Sequence, residues 1–173
     1  GWRIPIICCN FAADIYQSVP YLLPSNKGKF GDITEKKKMK KGSHNTMTYL
    51  KPSKWYLYPF IFVAKCQSID YKKQFNCGVR WFDLRLKTTT NLNDEPIRAH
   101  GLINYKTYKG FVDEFLQYLN EKAQEDLENP IYVRLLYELS AKDISTHSDI
   151  KENNFIELCK LYQQKYPFVH FIG

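Results

Sequence analysis

From Val79 to Leu86 the residue types alternate. Val79, Trp81, Asp83 and Arg85 fall on one side of an extended chain, and Arg80, Phe82, Leu84 and Leu86 fall on the other. A strand repeats its side-chain direction every second residue, so this stretch reads as a strand, and its apolar side suits packing beneath helices. The opposite side begins apolar and closes on a carboxylate and a guanidinium. A charged pair at the end of an otherwise covered strand needs partners or a ligand. In α/β folds the carboxyl ends of strands are where chemistry is done.

The residues that follow extend that expectation. Pro96 to Ala99 reads as a short strand, and His100-Gly101 comes directly after it. A neighbouring strand would bring that imidazole beside Asp83 and Arg85. Upstream, Gly42-Ser43-His44-Asn45-Thr46 places a second histidine in a turn of small residues. Two imidazoles, an arginine and a carboxylate converging at strand ends suit acid–base cleavage of a phosphodiester. His147, in a polar loop, and His170, in a terminal strand, read as structural.

The rest of the chain supplies an α/β frame. Residues 1–32 mix an apolar start with Pro20, Pro24, Gly28 and Gly31 and read as an N-terminal extension. The lysine-rich run 33–41 reads as a solvated segment that opens the domain 33–173. Residues 67–75 look helical, with Gly78 just beyond. Between 107 and 123, Tyr108, Phe111, Val112, Phe115, Leu116 and Leu119 form one helical stripe. Ile131 to Tyr137 is a nearly unbroken apolar run, the pattern of a strand covered on both faces. A helix over Asp149–Lys165, with Phe155, Leu158, Cys159 and Tyr162 on one side, and a last strand from Phe168 to Ile172 complete the pattern. Alternation of this kind predicts a parallel sheet of about five strands with right-handed crossovers. A closed eight-stranded barrel takes about 250 residues, so the expected fold is a partial or truncated TIM-barrel-like sheet with flanking helices.

Composition narrows the partners. A net charge of +7 favours anionic ones: phospholipid surfaces, phosphorylated substrates or nucleic acid. No nucleic-acid-binding motif is recognisable, so nucleic acid is not the expected partner. The five cysteines have no CxxC spacing and Cys8 and Cys9 are adjacent, so free thiols are expected rather than disulfides or a zinc site. The longest apolar run, Trp55 to Ala64, is far below the ~20 residues of a membrane span. That expectation leaves a soluble or peripheral membrane chain of unknown compartment. The same run is rich in aromatics (Trp55, Tyr56, Tyr58, Phe60, Phe62) and reads either as core packing or a partner interface, or as insertion into a lipid headgroup layer.

Several pieces together resemble the X-domain of the phosphatidylinositol-specific phospholipase C superfamily. They are GSHNT at 42–46, CQSIDYKKQFNCGVRWFDLRL at 66–86, AHG at 99–101 and the segment ending in VRLLYE, in the family's order and spacing. The likeness is strongest to metal-independent bacterial enzymes and to the glycosylphosphatidylinositol-cleaving relatives of protozoa. The resemblance implies attack of the inositol 2-hydroxyl on phosphorus, releasing diacylglycerol and leaving a cyclic inositol phosphate. It implies His44 as general base, His100 as general acid, Arg85 on the phosphate oxygens, and Asp83 orienting the arginine or a histidine. Substrate contacts would fall at Asn45 and Tyr137. Neither a cofactor nor a metal is implied, because Arg85 stands where calcium-dependent relatives carry a carboxylate.

The sequence departs from the family at Asn45, which replaces an aspartate, at the basic rather than apolar first strand, and at Leu136 and Tyr137, which stand where a lysine is expected. The family's later barrel half has no counterpart, so another chain could complete the barrel. These departures leave open an inactive X-domain-like structural or binding module in a larger assembly. Arg80 and Arg98 lie outside the motif positions and read as surface pairing.

Overall fold

The computed structural model describes residues 41–61, 65–106, 108–139 and 149–172. The proposed boundary at 32, the lysine run up to Lys40, and Cys8, Cys9, Phe62 and His147 lie outside those residues. Within the described residues six strands form one open sheet: β1 (Lys41–Ser43), β2 (Val79–Lys87), β3 (Ile97–His100), β4 (Ile103–Asn104), β5 (Ile131–Tyr137) and β6 (Val169–Ile172). Among the described residues three α-helices accompany them: α1 (Tyr71–Asn76), α2 (Phe111–Glu125) and α3 (Asp149–Lys165).

Strand β2 is the axis of the sheet. Its residues 81–86 pair in parallel with β5, from Trp81↔Tyr132 to Leu86↔Tyr137, and β6 adds in parallel beyond β5. Phe82 and Leu86 also pair with β1 and β3 respectively, so these two strands share the remaining edge of β2. The expected all-parallel sheet is therefore mixed, because β3 runs antiparallel to β2 and β4 antiparallel to β3. The connection 88–96 is shorter than the dozen or more residues a parallel crossover needs, so the chain can only fold back. The two-residue strand β4 carries no alternation long enough to be read in the sequence.

One side of the sheet is the core. Phe82, Leu84 and Leu86 are fully buried with Val112, Phe115, Leu116 and Leu119 of α2, and Val133 of β5 lies in the same cluster. Burying each such side chain contributes about 1.5–3 kcal/mol. Helix α1 starts at Tyr71 rather than 67 because the Asp70 side chain caps it, accepting from the Lys73 N–H at 3.0 Å. It ends in a reversal at Gly78, whose φ of 91° a side chain would resist.

Helix α2 starts at Phe111 rather than 107, and Tyr108 lies outside it with its ring exposed. The cap residue, Gly110, has no side chain to offer. Glu95 supplies one from the β2–β3 connection, accepting from Gly110 N at 2.8 Å and Val112 N at 3.1 Å. Glu95 also faces Arg98 Nη1 at 3.6 Å. Arg98 is thus no surface residue: it is completely buried, with its guanidinium 4.3 Å from the Phe111 ring centre. Arg80 is half-buried, donating to the carbonyls of Phe75 and Val79 and lying 3.9 Å over the Phe75 ring. The cationic fork stacks on an aromatic face more favourably than it pairs in water.

Glu95→Ala removes the cap of α2 and strands a buried guanidinium, and we expect it to lower unfolding free energy by about 3–5 kcal/mol in a urea titration. Lys122→Ala, at an exposed pair on the same helix, is expected to leave it essentially unchanged.

Candidate functional site

The turn after β1 sits on the carboxyl-terminal half of β2. Thr46 N donates to the Asp83 carbonyl at 2.8 Å, and Asn45 N donates to the Asp83 carboxylate at 3.2 Å. Asn45 carries the one positive φ (46°) outside glycine among the described residues, a left-handed value that asparagine tolerates. That bend turns the His44 ring toward Asp83, with Nδ1 3.2 Å from Oδ2. A second segment holds the turn from outside. Thr48 Oγ1 accepts the N–H groups of Cys66 and Gln67 at 2.9 and 2.8 Å, and Gln67 Nε2 donates to the His44 carbonyl at 2.9 Å.

Asp83 Oδ2 also accepts from Arg85 Nε and Nη2, each at 3.2 Å. Arg85 reaches in the other direction to Glu138, with Nη1 3.5 Å from Oε2. Glu138 Oε1 in turn accepts from Gly101 N at 2.6 Å, beside His100. The backbone of Gly101 has φ 56°, which lets the β3–β4 turn present its N–H to that carboxylate. Lys87 Nζ donates to the Gly101 carbonyl at 3.2 Å. A continuous polar chain therefore runs His44–Asp83–Arg85–Glu138–Gly101. At its ends the His44 and His100 rings meet edge to face, with centres 6.4 Å apart.

Four of the residues singled out in the sequence, His44, Asp83, Arg85 and His100, are thus gathered at one place. Asn45 is there too, but its side chain is almost completely buried and it is the backbone N–H that serves the site. Tyr137 is not there. It pairs with Leu86 and shares that residue's face of the sheet, where its ring lies 5.2 Å from Phe155 of α3. The next residue along, Glu138, falls on the Asp83–Arg85 face and takes the position at the end of β5. Its signal in the sequence was a carboxylate closing an apolar strand. Only the register of β5 on β2 tells which of the two adjacent residues faces Arg85. His170 is exposed on β6, stacked beside Tyr132 at 5.2 Å between ring centres.

The electrostatics follow from the geometry. Burial pushes the Asp83 carboxyl upward, but the His44 imidazole, the Arg85 guanidinium and the Asn45 N–H outweigh it and hold the group below the usual carboxylate range. The hydrogen bond to Asp83, then one to the Cys66 side chain, push His44 up to about 9 against the cost of burial. His44 is therefore an imidazolium at neutral pH, not a group titrating near 7. Arg85 fills the space between Asp83 and Glu138 with positive charge. Among the described residues no set of three or more His, Cys, Asp or Glu side chains is disposed to hold a metal ion.

The chain matches no family model, no curated protein and no solved structure at a significant level.

The aromatic segment is exposed rather than part of the core. Trp55–Phe60 forms a 3-10 turn with no buried residue, and Trp55 is 81 % exposed. Backbone bonds from Ser53 N to the Asn104 carbonyl and from Lys106 N to the Lys51 carbonyl tie the preceding residues to the β4 side of the sheet. Among the described residues, no helix is long and apolar enough to cross a membrane.

His44 should titrate near 9 in a proton NMR experiment, and Asp83→Asn should bring it down toward the ordinary 6.5 or so. Its folded value lies above the unfolded one. The pairing therefore stabilises the fold fully below about pH 6.5, and that contribution is lost as pH rises through about 9. In Asp83→Asn this loss of stability with rising pH should flatten.

Proposed function

We propose that this chain is a metal-independent phosphodiesterase of the phosphatidylinositol-specific phospholipase C type, built as the first part of a (β/α) barrel. The observation that supports it best is the pair of imidazoles, 6.4 Å apart between ring centres, joined underneath by the Asp83–Arg85–Glu138 chain. Two proton-transfer groups that can both reach one phosphate, beside a fixed guanidinium, are what an internal displacement at phosphorus requires.

In this reading Asp83 accepts the Nδ1–H of His44 and so leaves Nε2 to take the proton of the inositol 2-hydroxyl. The resulting alkoxide attacks phosphorus, and the bond to the diacylglycerol oxygen breaks. His100 gives that oxygen a proton. Arg85 has five N–H donors, of which three face Asp83 and Glu138, and the remaining two are available to phosphate oxygens. Held between two carboxylates, the guanidinium is fixed in place before the substrate arrives, which is how such a group favours a transition state. Charge and exposed aromatics suit a substrate in an anionic lipid surface: the chain carries +7, and Trp55, Tyr56, Tyr58 and Phe60 are all exposed. A further chain completing the barrel belongs to the same reading.

The test is turnover of labelled phosphatidylinositol vesicles by the full chain. We expect a cyclic inositol phosphate as product and an unchanged rate in the presence of a chelator. His44→Ala and His100→Ala should each cost about 10²–10⁴ in rate. Because the rate needs His44 without its proton and His100 with one, its profile followed up to about pH 9 should be a bell, and the limb set by His44 should move to lower pH in Asp83→Asn. Folded wild-type protein with no turnover across that range would replace this reading with that of an inactive binding module. Removing both Trp55 and Phe60 should weaken vesicle binding by at least about threefold, read by sedimentation.

A further inference from the structure

Glu138 does more than close β5. Its backbone N–H donates to the Leu86 carbonyl at 2.8 Å, which seats it beside the carboxyl end of β2, and its side chain is mostly buried. From there it reaches across β2 to a strand that β5 does not pair with. The sheet order is β3–β2–β5, yet Glu138 Oε1 accepts from Gly101 N at 2.6 Å, one residue beyond the end of β3. Lys87 Nζ, from β2, holds the carbonyl of the same residue at 3.2 Å. Between His100 and Ile103 the β3–β4 turn has only two residues, Gly101 with φ 56° and Leu102, which is 70 % exposed. A turn this short has no core of its own, and both side chains that grip it come from neighbouring strands. His100 stands at its root.

A proton donor assists a leaving group only when it is held within hydrogen-bond reach, and a misplacement of about 1 Å can cost about 10²-fold in rate. We propose that Glu138 is a positioning residue for His100, fixing the His100–Gly101 turn through the Gly101 N–H and setting it at a constant distance from the Arg85 guanidinium. The inference rests on the phosphodiesterase reading, in which His100 gives its proton to the diacylglycerol oxygen while Arg85 holds the phosphate. Glu138 Oε2 lies 3.5 Å from Arg85 Nη1, so one side chain sets the proton donor and the phosphate-binding group as a pair. The requirement is reach rather than charge. An amide oxygen on a side chain of the same length still accepts from Gly101 N, whereas a carboxylate drawn back by one methylene does not.

Two measurements on the full chain test this. The first compares turnover of phosphatidylinositol vesicles with turnover of 4-nitrophenyl inositol phosphate, whose leaving group departs without a proton. On phosphatidylinositol, Glu138→Asp and Glu138→Ala should each lower kcat at least about tenfold, and Glu138→Gln should keep at least about a third of it. On the nitrophenyl ester the loss in Glu138→Asp should shrink to less than about threefold. Equal losses on both esters, or Glu138→Asp as active as wild type on phosphatidylinositol, would overturn the proposal. The second measurement needs no turnover: the order of the His100 ring, read by NMR relaxation, should fall in Glu138→Asp and Glu138→Ala and hold in Glu138→Gln. An unchanged ring in folded Glu138→Asp would overturn the proposal as well. Wild-type protein that cleaves neither ester would sink the phosphodiesterase reading, and the ring measurement then decides the positioning role by itself. Should Glu138→Ala not fold, the contrast between Asp and Gln decides it.

Discussion

One buried oxygen organises this protein. Asp83 Oδ2 lies 3.2 Å from each of four nitrogens: His44 Nδ1, Asn45 N, and Arg85 Nε and Nη2. A lone carboxylate in a sheet interior would have to give up its charge or be forced out. Here the donors come from the strand itself and from the turn after β1, so ionising Asp83 and docking that turn are one event. The fold stabilises the charge, and the charge in turn fixes where His44 points. The carboxylate is thus a structural part and a site part at once.

The network extends because β2 has two different neighbours at its carboxyl end. On one edge β3 arrives antiparallel and delivers His100 at its tip. On the other, β5 runs parallel and delivers Glu138 just beyond Tyr137. Arg85, between them, is tied to Asp83 and Glu138. A guanidinium fixed in this way loses little rotamer freedom when an anion binds. The opposite face of the same strand is sealed by Phe82, Leu84 and Leu86 against α2. Apolar burial on one face therefore sets the register that the polar face depends on, since slipping by one residue would exchange the two faces.

Much of this was legible in the residue order. Period two in 79–86 separates the core face from the charged face, and the structure has both as expected. The helix over Asp149–Lys165 and the strand over Ile131–Tyr137 fall on their expected residues. Other elements were decided by groups far away in the chain. Helix α2 begins late because Glu95, in another loop, caps Gly110 and Val112. Arg98 is buried because that same Glu95 and the Phe111 ring receive it. Period and propensity describe neighbours in sequence, and neither contains information about a carboxylate some fifteen residues upstream.

The sequence by itself determined the strand that carries the charge, the two histidines that flank it, and the apolar faces that bury it, because each is a local pattern of residue types. The tertiary structure alone decided which side chain at the end of β5 enters the site, Glu138 rather than its neighbour Tyr137, since that choice rests on the pairing of two strands. It alone decided the charge of His44, pushed up to about 9 by groups from β2 and from the segment at Cys66. An imidazole's proton affinity is set by what lies within a few ångströms of it, and only folding brings those groups there.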